Sequence, residues 1–202
     1  HRVAMLTNPT GVDSRLNFIP DLLHRDSQTT LTAFFAAEHG LRGDVQAGGS
    51  VSTYTDPHTG VPVYSVYGAV KAPTDEQLKN VDILIFDIQD VGVRFYTFAW
   101  SMTYAMEAAA KNNVKFVVFD RPNPIGGMKV EGAPNRDDYA LVGRVWPGQS
   151  FGVSTRHGMT VGEFARLVNG EWMNPKADLT VIPIPGYTRG TAFENAGRPW
   201  VI

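Results

Sequence analysis

Short apolar runs alternate along this chain with polar, turn-rich stretches, and their lengths separate strands from helices. Residues 3–7, 31–36, 83–88, 115–119 and 180–184 are brief and mostly apolar. Such runs read as strands covered on both faces. Helical patterns lie between several of them. Residues 16–25 form a weak one with Pro20 near its start. Thr74-Asp75-Glu76-Gln77 has the capping-box pattern and opens a short helix through Lys79. The clearest helix is predicted over 95–111, where Phe95, Phe98, Met102, Ala105, Met106 and Ala109 recur at helical spacing and Asn112-Asn113 closes the run. Thr160-Val161-Gly162-Glu163 is a second capping box, ahead of Phe164, Leu167 and Val168, with Gly170 as the expected stop.

Strands alternating with helices imply an α/β fold on a parallel sheet with right-handed crossovers. Two long segments break the alternation. Residues 42–73 are rich in Gly, Ser, Thr and Pro, with a hairpin expected at 62–67, and residues 122–155 are rich in Pro and Gly. Long loops inside compact domains tend to carry function. These follow the second and fourth strands, which puts them at the carboxyl edge of the sheet.

Composition narrows the classes. In 202 residues, 43% are hydrophobic and 19% charged, enough to bury a substantial core. A net charge of −2, with Lys and Arg scattered, gives no electrostatic case for nucleic acid or an anionic membrane. No apolar run approaches the roughly 20 residues of a membrane span. The absence of cysteine excludes disulfides, thiol nucleophiles and thiolate metal sites. The chain opens on His1-Arg2 and stops within the apolar Pro199-Trp200-Val201-Ile202, so it reads as a fragment or a processed chain.

Polar and acidic groups end four successive strands: Asn8-Pro9-Thr10-Gly11, Glu38-His39-Gly40, then Asp87 through Asp90 with Arg94 and Tyr96, and Asp120-Arg121-Pro122-Asn123. In open α/β sheets ligands bind past these strand ends. A rim of Asn, Glu, His, Asp and Arg suits a polar, hydroxyl-rich ligand. Glu38 is the candidate general acid, since a carboxyl at the end of a buried strand is partly desolvated and held protonated near neutrality. The plainer alternative is a helix cap or an ion pair with Arg42. His39 either hydrogen-bonds substrate, orients Glu38, or serves the turn. Asp87 and Asp90 could bind sugar hydroxyls, act as a base or hold a metal. Alternatively, Asp90 caps the helix at Phe95 and Asp87 pairs with Arg94. Arg121 is placed to pair with Asp120. Arg156-His157-Gly158, ahead of a capped helix, could present a cation to an anionic substrate or simply pack a loop.

Some classes lack their motifs here. There is no Gly-x-Gly-x-x-Gly after the first strand, no phosphate-binding Gly-Lys loop and no Gly-x-Ser-x-Gly elbow. The histidines at 1, 24, 39, 58 and 157 make no zinc-protease pattern. An oxygen-rich metal site from Glu38, Asp87 and Asp120 stays open. Carboxyl groups doing acid/base work on a glycoside are the economical reading.

Taken together, Leu6-Thr7-Asn8-Pro9-Thr10-Gly11-Val12-Asp13, Ala37-Glu38-His39-Gly40-Leu41-Arg42-Gly43-Asp44, the stretch from Phe86 to Thr97, Asp120-Arg121-Pro122-Asn123-Pro124-Ile125-Gly126-Gly127 and the stretch from Arg156 to Glu163 are similar to motifs of the NamZ-type exo-β-N-acetylmuramidases, in order and spacing. The resemblance implies a Rossmann-like catalytic domain over residues 1–202, an open, mostly parallel sheet with helices on both faces, followed by the start of a further segment. The smaller C-terminal domain of that family is absent from this chain. It implies a bacterial glycosidase that releases β-linked N-acetylmuramic acid from the non-reducing ends of peptidoglycan fragments. No cofactor or metal is needed, the partner is a sugar or muropeptide substrate, and the location is secreted or periplasmic. Glu38 is then the favoured catalytic residue, with His39, Asp87 and Asp90 as further catalytic candidates. Asn8, Arg94, Tyr96, Asp120, Asn123, Arg156 and His157 are substrate-binding candidates, the Arg and His residues facing the lactyl carboxylate. The alternatives are a wall-sugar binding domain without catalysis and a metal-dependent hydrolase of another polar substrate.

Overall fold

Alternation along the strands decides which side of the sheet each helix covers. The computed structural model describes residues 1–43, 45–46, 53–136, 143–150 and 152–201; Asp44 and parts of both long irregular segments lie outside the described residues. The chain runs β1 (Arg2–Thr7), α1 (Ile19–Arg25), β2 (Thr30–Ala36), β3 (Tyr54–Thr55), β4 (Pro62–Ser65), α2 (Asp75–Leu78), β5 (Ile83–Asp87), α3 (Phe98–Lys111), β6 (Lys115–Phe119), β7 (Glu131–Pro134), β8 (Ser154–Arg156), α4 (Val161–Leu167) and β9 (Leu179–Ile182). Seven strands form one sheet in the order β3-β4-β2-β1-β5-β6-β9. All neighbours pair in parallel except β3, which folds back on β4 as an antiparallel edge. The fold is therefore the expected α/β sheet.

Ala4 and Leu6 of β1, Phe35 of β2, Leu84 and Phe86 of β5, and Phe116 and Val118 of β6 face a large core shared with α3 and α4. Val3, Met5, Phe34, Ala36, Ile85 and Val117 point the other way, toward Ile19 and Leu23 of α1. All of these side chains are apolar and need no polar partner, while ladder bonds satisfy the backbone between them. Both capping boxes form: the Thr74 and Thr160 hydroxyls each accept from the third helical N–H, and Gln77 and Glu163 reach back to the cap. Each is worth about 1 kcal/mol. Gly162, on the first turn of α4, is required by close approach, since a Cβ there would lie 2.6 Å from Asp120.

Several boundaries differ from expectation. α1 starts at Ile19 because Asp13 draws the Arg15 and Asn17 N–H groups into a side-chain turn and Leu16 takes a left-handed φ of 64°. α3 starts at Phe98, three residues after the predicted start. Arg94 N–H bonds the Thr155 carbonyl, the Arg94 carbonyl accepts from the Trp100 indole, and Phe95 is 62% exposed rather than part of the core stripe. Gly170 does not stop the last helix. The run continues as a π-turn over Val168–Trp172, fastened by Asn169, whose side chain bonds both the N–H and the carbonyl of Ala177. The strand expected at 180–184 is Leu179–Ile182. The antiparallel pair β7–β8 was hidden inside a segment read as irregular.

The hairpin β3–β4 is moored by one ion network. Arg42 bonds Asp56 at 2.7 Å and Asp21 of α1 at 2.9 Å, and Asp56, fully buried, also accepts from Thr59. Burial pushes the Asp56 carboxyl up, but the hydrogen bonds from Arg42 and Thr59 outweigh it and hold the group at about 2. A carboxyl depressed on folding stabilises above its unfolded value and loses that contribution as pH falls toward the folded one. Urea unfolding between pH 4 and pH 2 should show a loss of about 2 kcal/mol from this group. Asp56→Asn should flatten that fall; an equally steep fall in the variant would show that Asp56 is not its source.

Candidate active site

The strand order reverses at β1, with β2 on one side and β5 on the other, so the rim past β1 and β5 is the natural crevice of this sheet. Glu38 lies two residues past the end of β2. The ladder pairs Ala36 with Ser65, so the residues two positions on, Glu38 and Tyr67, come side by side. The Tyr67 hydroxyl donates to Glu38 Oε1 at 2.9 Å, and the Thr97 hydroxyl donates to Oε2 at 3.1 Å. Thr97 is the residue before α3 and would ordinarily cap it, yet its side chain makes no cap bond. Its hydroxyl is turned to Glu38 instead. The hydrogen bond to Glu38 pushes the Tyr67 hydroxyl up. Half-buried Tyr96 completes the cluster: burial first, then the charges of Asp90 and Glu38, push its hydroxyl up as well. Its ring is fixed edge-on against Phe98, 4.8 Å between centroids. Tyr67 and Thr97 escaped the sequence reading; the hairpin–strand register and the cap position of α3 were the signals that could have found them.

The groups gathered on the rim can serve either protonation state of Glu38. A carboxylate accepts from both hydroxyls. A carboxylic acid keeps the Tyr67 bond and donates to Thr97, whose oxygen can accept. His39 follows with a φ of 73°, a left-handed conformation uncommon outside glycine, and Gly40 continues it at 80°. The reversal lets the chain turn away directly after Glu38.

Other candidates sit beneath the rim rather than on it. Asp87 is 1% exposed, and Arg121 Nε bonds its Oδ1 at 2.6 Å while a second guanidinium nitrogen of Arg121 donates to the Val12 carbonyl. Burial pushes the Asp87 carboxyl up and the Arg121 charge pulls against it. Arg121 thus pairs with Asp87, not Asp120, and Asp87 does not pair with Arg94. The reason is position: Arg121 points across from β6 to the neighbouring β5. Glu38 likewise does not pair with Arg42, which is committed to Asp21 and Asp56. Asp90 does not cap α3. Its Oδ2 accepts from Gly92 N–H at 2.8 Å and lies 3.4 Å from Nε2 of buried His157, whose Nδ1 accepts from Met159 N–H. Asp120 accepts from Thr160 and Gly162 at the start of α4, and burial pushes its carboxyl up.

Asn8 accepts from Thr10, and Thr10 in turn accepts from Gln89 N–H. Gln89 donates to the carbonyls of Asp90 and Pro122. These bonds lock the loops after β1, β5 and β6 to one another. Asn123 accepts from Ile125 N–H and donates to the Met159 carbonyl. Gly92, at a φ of 81°, passes so close that a Cβ would lie 2.3 Å from Asn123 Oδ1. Arg94 donates to the Ala133 and Val153 carbonyls. Arg156 donates to the Ile125 carbonyl and pairs with Glu131 at 2.6 Å. Both arginines therefore pin the β7–β8 pair to the rim. Among the described residues no three His, Asp or Glu side chains are grouped to hold a metal ion, and Glu38, Asp87 and Asp120 answer to separate partners.

Comparison with known proteins gives consistent relatives. The family described as exo-beta-N-acetylmuramidase NamZ, N-terminal, matches residues 3–202. A curated relative from Bacillus subtilis strain 168, the peptidoglycan beta-N-acetylmuramidase NamZ, is 48% identical over 201 residues, covering 100% of this chain and 47% of that protein. Two crystal structures of DUF1343 family proteins from Bacteroides fragilis NCTC 9343 superpose on it. One has a TM-score of 0.88 at 42% identity, covering 99% of this chain and 49% of the other. The second has a TM-score of 0.75 at 38% identity, covering 94% and 48%. The chain thus spans about half the length of the relatives it matches.

Proposed function

Because the chain belongs to the family of NamZ exo-β-N-acetylmuramidase N-terminal domains, we propose that it is the acid-bearing half of a glycosidase that removes β-linked N-acetylmuramic acid from the non-reducing ends of peptidoglycan fragments. The observation that carries the reading is Glu38, held at the sheet's carboxyl rim by the hydroxyls of Tyr67 and Thr97. Leaving a sugar needs a proton on the glycosidic oxygen, and a rim carboxyl in a hydroxyl cradle can deliver it. Glu38 is that acid on this reading. Tyr67 and Thr97 aim it, Tyr96 borders it, and the interlocked loops below keep the rim rigid. On the same reading the protein works outside the cytoplasmic membrane, where wall fragments arise, and its partner is a muropeptide or the bare disaccharide.

The test uses this chain alone and fused to the remaining half of the Bacillus subtilis relative. Each is incubated with the disaccharide N-acetylmuramyl-β-1,4-N-acetylglucosamine and with its counterpart lacking the lactyl group. Release of free N-acetylmuramic acid from the first, with little turnover of the second, is the expected result. Binding of the disaccharide without cleavage by either protein would turn the reading into a wall-sugar binding domain. The cradle has its own consequence. Tyr67→Phe combined with Thr97→Val removes these two hydroxyls and should cut kcat roughly 10-fold to 100-fold with KM little changed, since a mispositioned acid still protonates. An unaltered kcat would mean that the hydroxyls do not aim Glu38.

A further inference from the structure

One hydroxyl on the rim has no task inside the fold. Glu38 takes those of Tyr67 and Thr97. Tyr96 directly precedes Thr97, so its backbone adjoins the Glu38 contact. The Tyr96 N–H bonds the Val93 carbonyl at 3.1 Å, and Arg94 holds that turn to Thr155. The ring is set edge-on against Phe98. Among the described residues the Tyr96 hydroxyl has no hydrogen-bond partner. It is not sealed either. Asp90 Oδ1 and Gln89 Oε1 are unpartnered and closed off from solvent, whereas the Tyr96 oxygen meets open space.

Two carboxyl groups decide what that hydroxyl can meet. Burial, with the charges of Asp90 and Glu38, pushes it up, so it keeps its proton. Asp90 is held in place. Its Oδ2 accepts from Gly92 N–H at 2.8 Å and faces Nε2 of His157 at 3.4 Å. His157 Nδ1 accepts from Met159 N–H, which leaves the ring proton on Nε2, toward Asp90. Tyr96 is thus a phenol with a hydrogen to give, beside fixed negative charge. An anionic acceptor is repelled from it, and a neutral one is not.

From this open, unspent donor beside Glu38, we infer that Tyr96 is the contact that reads the 2-acetamido group of the muramic acid, its hydroxyl donating to the amide carbonyl oxygen. That group stands on the carbon next to the scissile bond, within reach of a residue that neighbours the acid. Its oxygen is a neutral acceptor. The lactyl carboxylate, on C3, is the anion that this corner turns away. A hydroxyl at C2 could give its hydrogen to a carboxylate and needs no phenol, whereas a carbonyl oxygen only accepts and needs a donor. A half-buried donor left unpaired by a sugar without the amide makes such a contact selective. The assignment rests on the muramidase reading of the same site.

The test titrates the fused protein calorimetrically with N-acetylmuramic acid and with 3-O-lactylglucose, its counterpart carrying a hydroxyl at C2. Both titrations are repeated on Tyr96→Phe, which keeps the ring against Phe98. The unaltered protein should bind N-acetylmuramic acid the more tightly. Tyr96→Phe should weaken that binding about 3-fold to 10-fold, the range of one neutral hydrogen bond, and shift the affinity for 3-O-lactylglucose by no more than about 2-fold. Equal losses on both sugars would show that Tyr96 only shapes the rim, and an unchanged affinity for N-acetylmuramic acid would remove it from recognition; either result overturns the assignment. A selective loss in a protein that releases no sugar from the disaccharide would strike down hydrolysis alone. Hydrolysis without a selective loss would strike down the role of Tyr96 alone. Failure of the fused protein to bind either sugar would overturn both.

Discussion

Glu38→Gln should lower kcat on N-acetylmuramyl-N-acetylglucosamine by about 10²-fold to 10⁴-fold, the range that a positioned general acid supplies. The substitution is nearly isosteric. The amide oxygen can take the Tyr67 bond and the amide nitrogen can donate to Thr97, so stability should change by no more than ~0.5 kcal/mol. The diagnostic lies in the leaving group. A sugar alcohol leaves poorly without a proton, whereas a dinitrophenolate leaves readily without one. The loss should therefore shrink to about 10-fold or less on the dinitrophenyl muramide. Equal losses on both substrates would deny Glu38 the acid's role, and an undiminished rate would remove it from the mechanism altogether. The fused protein described above is the one to assay.

Arg121→Met should be the most damaging single change to the fold, at about 3–5 kcal/mol, because it leaves the Asp87 carboxyl buried without its counter-charge. Arg121 itself is only 5% exposed and also holds the Val12 carbonyl, so the loop after β1 loosens with it. Asp87→Asn in the same chain removes the stranded charge and should recover at least half of the loss. Urea unfolding of the two single variants and the double variant measures the coupling. Additive losses would show that the pair is not the unit it looks like. The pair's place beneath the rim, with Asp87 closing β5 and Arg121 opening the loop after β6, makes it a foundation for the site rather than a participant in it.

The strands were readable because strands covered on both faces leave almost nothing but apolar residues, and the two capping boxes were readable because both partners of each box are local. The ends of elements set by distant groups were not. Phe95 fits a helical stripe, and only the bond from Arg94 to Thr155, about sixty residues away, draws that turn out of the helix. Gly170 looks like a stop, and Asn169 overrides it through Ala177. The rim shows the same division. Glu38 announced itself where an apolar run ends in a carboxyl. Its two hydroxyl partners come from a hairpin and a helix cap whose meeting depends on sheet register, which local pattern does not carry. Asp87, Asp120 and Arg121 were recognised as rim residues, but their pairing was assigned to sequence neighbours, when side chains at strand ends reach more easily across the sheet.

The left-handed backbone at His39 has a consequence for how such a protein can change. A side chain in that conformation costs about 1–2 kcal/mol relative to glycine, so a hunt for heat resistance would find relief at this position early. The residue next door is Glu38, and slack there would blur the aim of the acid. Improvement selected by survival at temperature and improvement selected by turnover are thus set against each other within a single dipeptide.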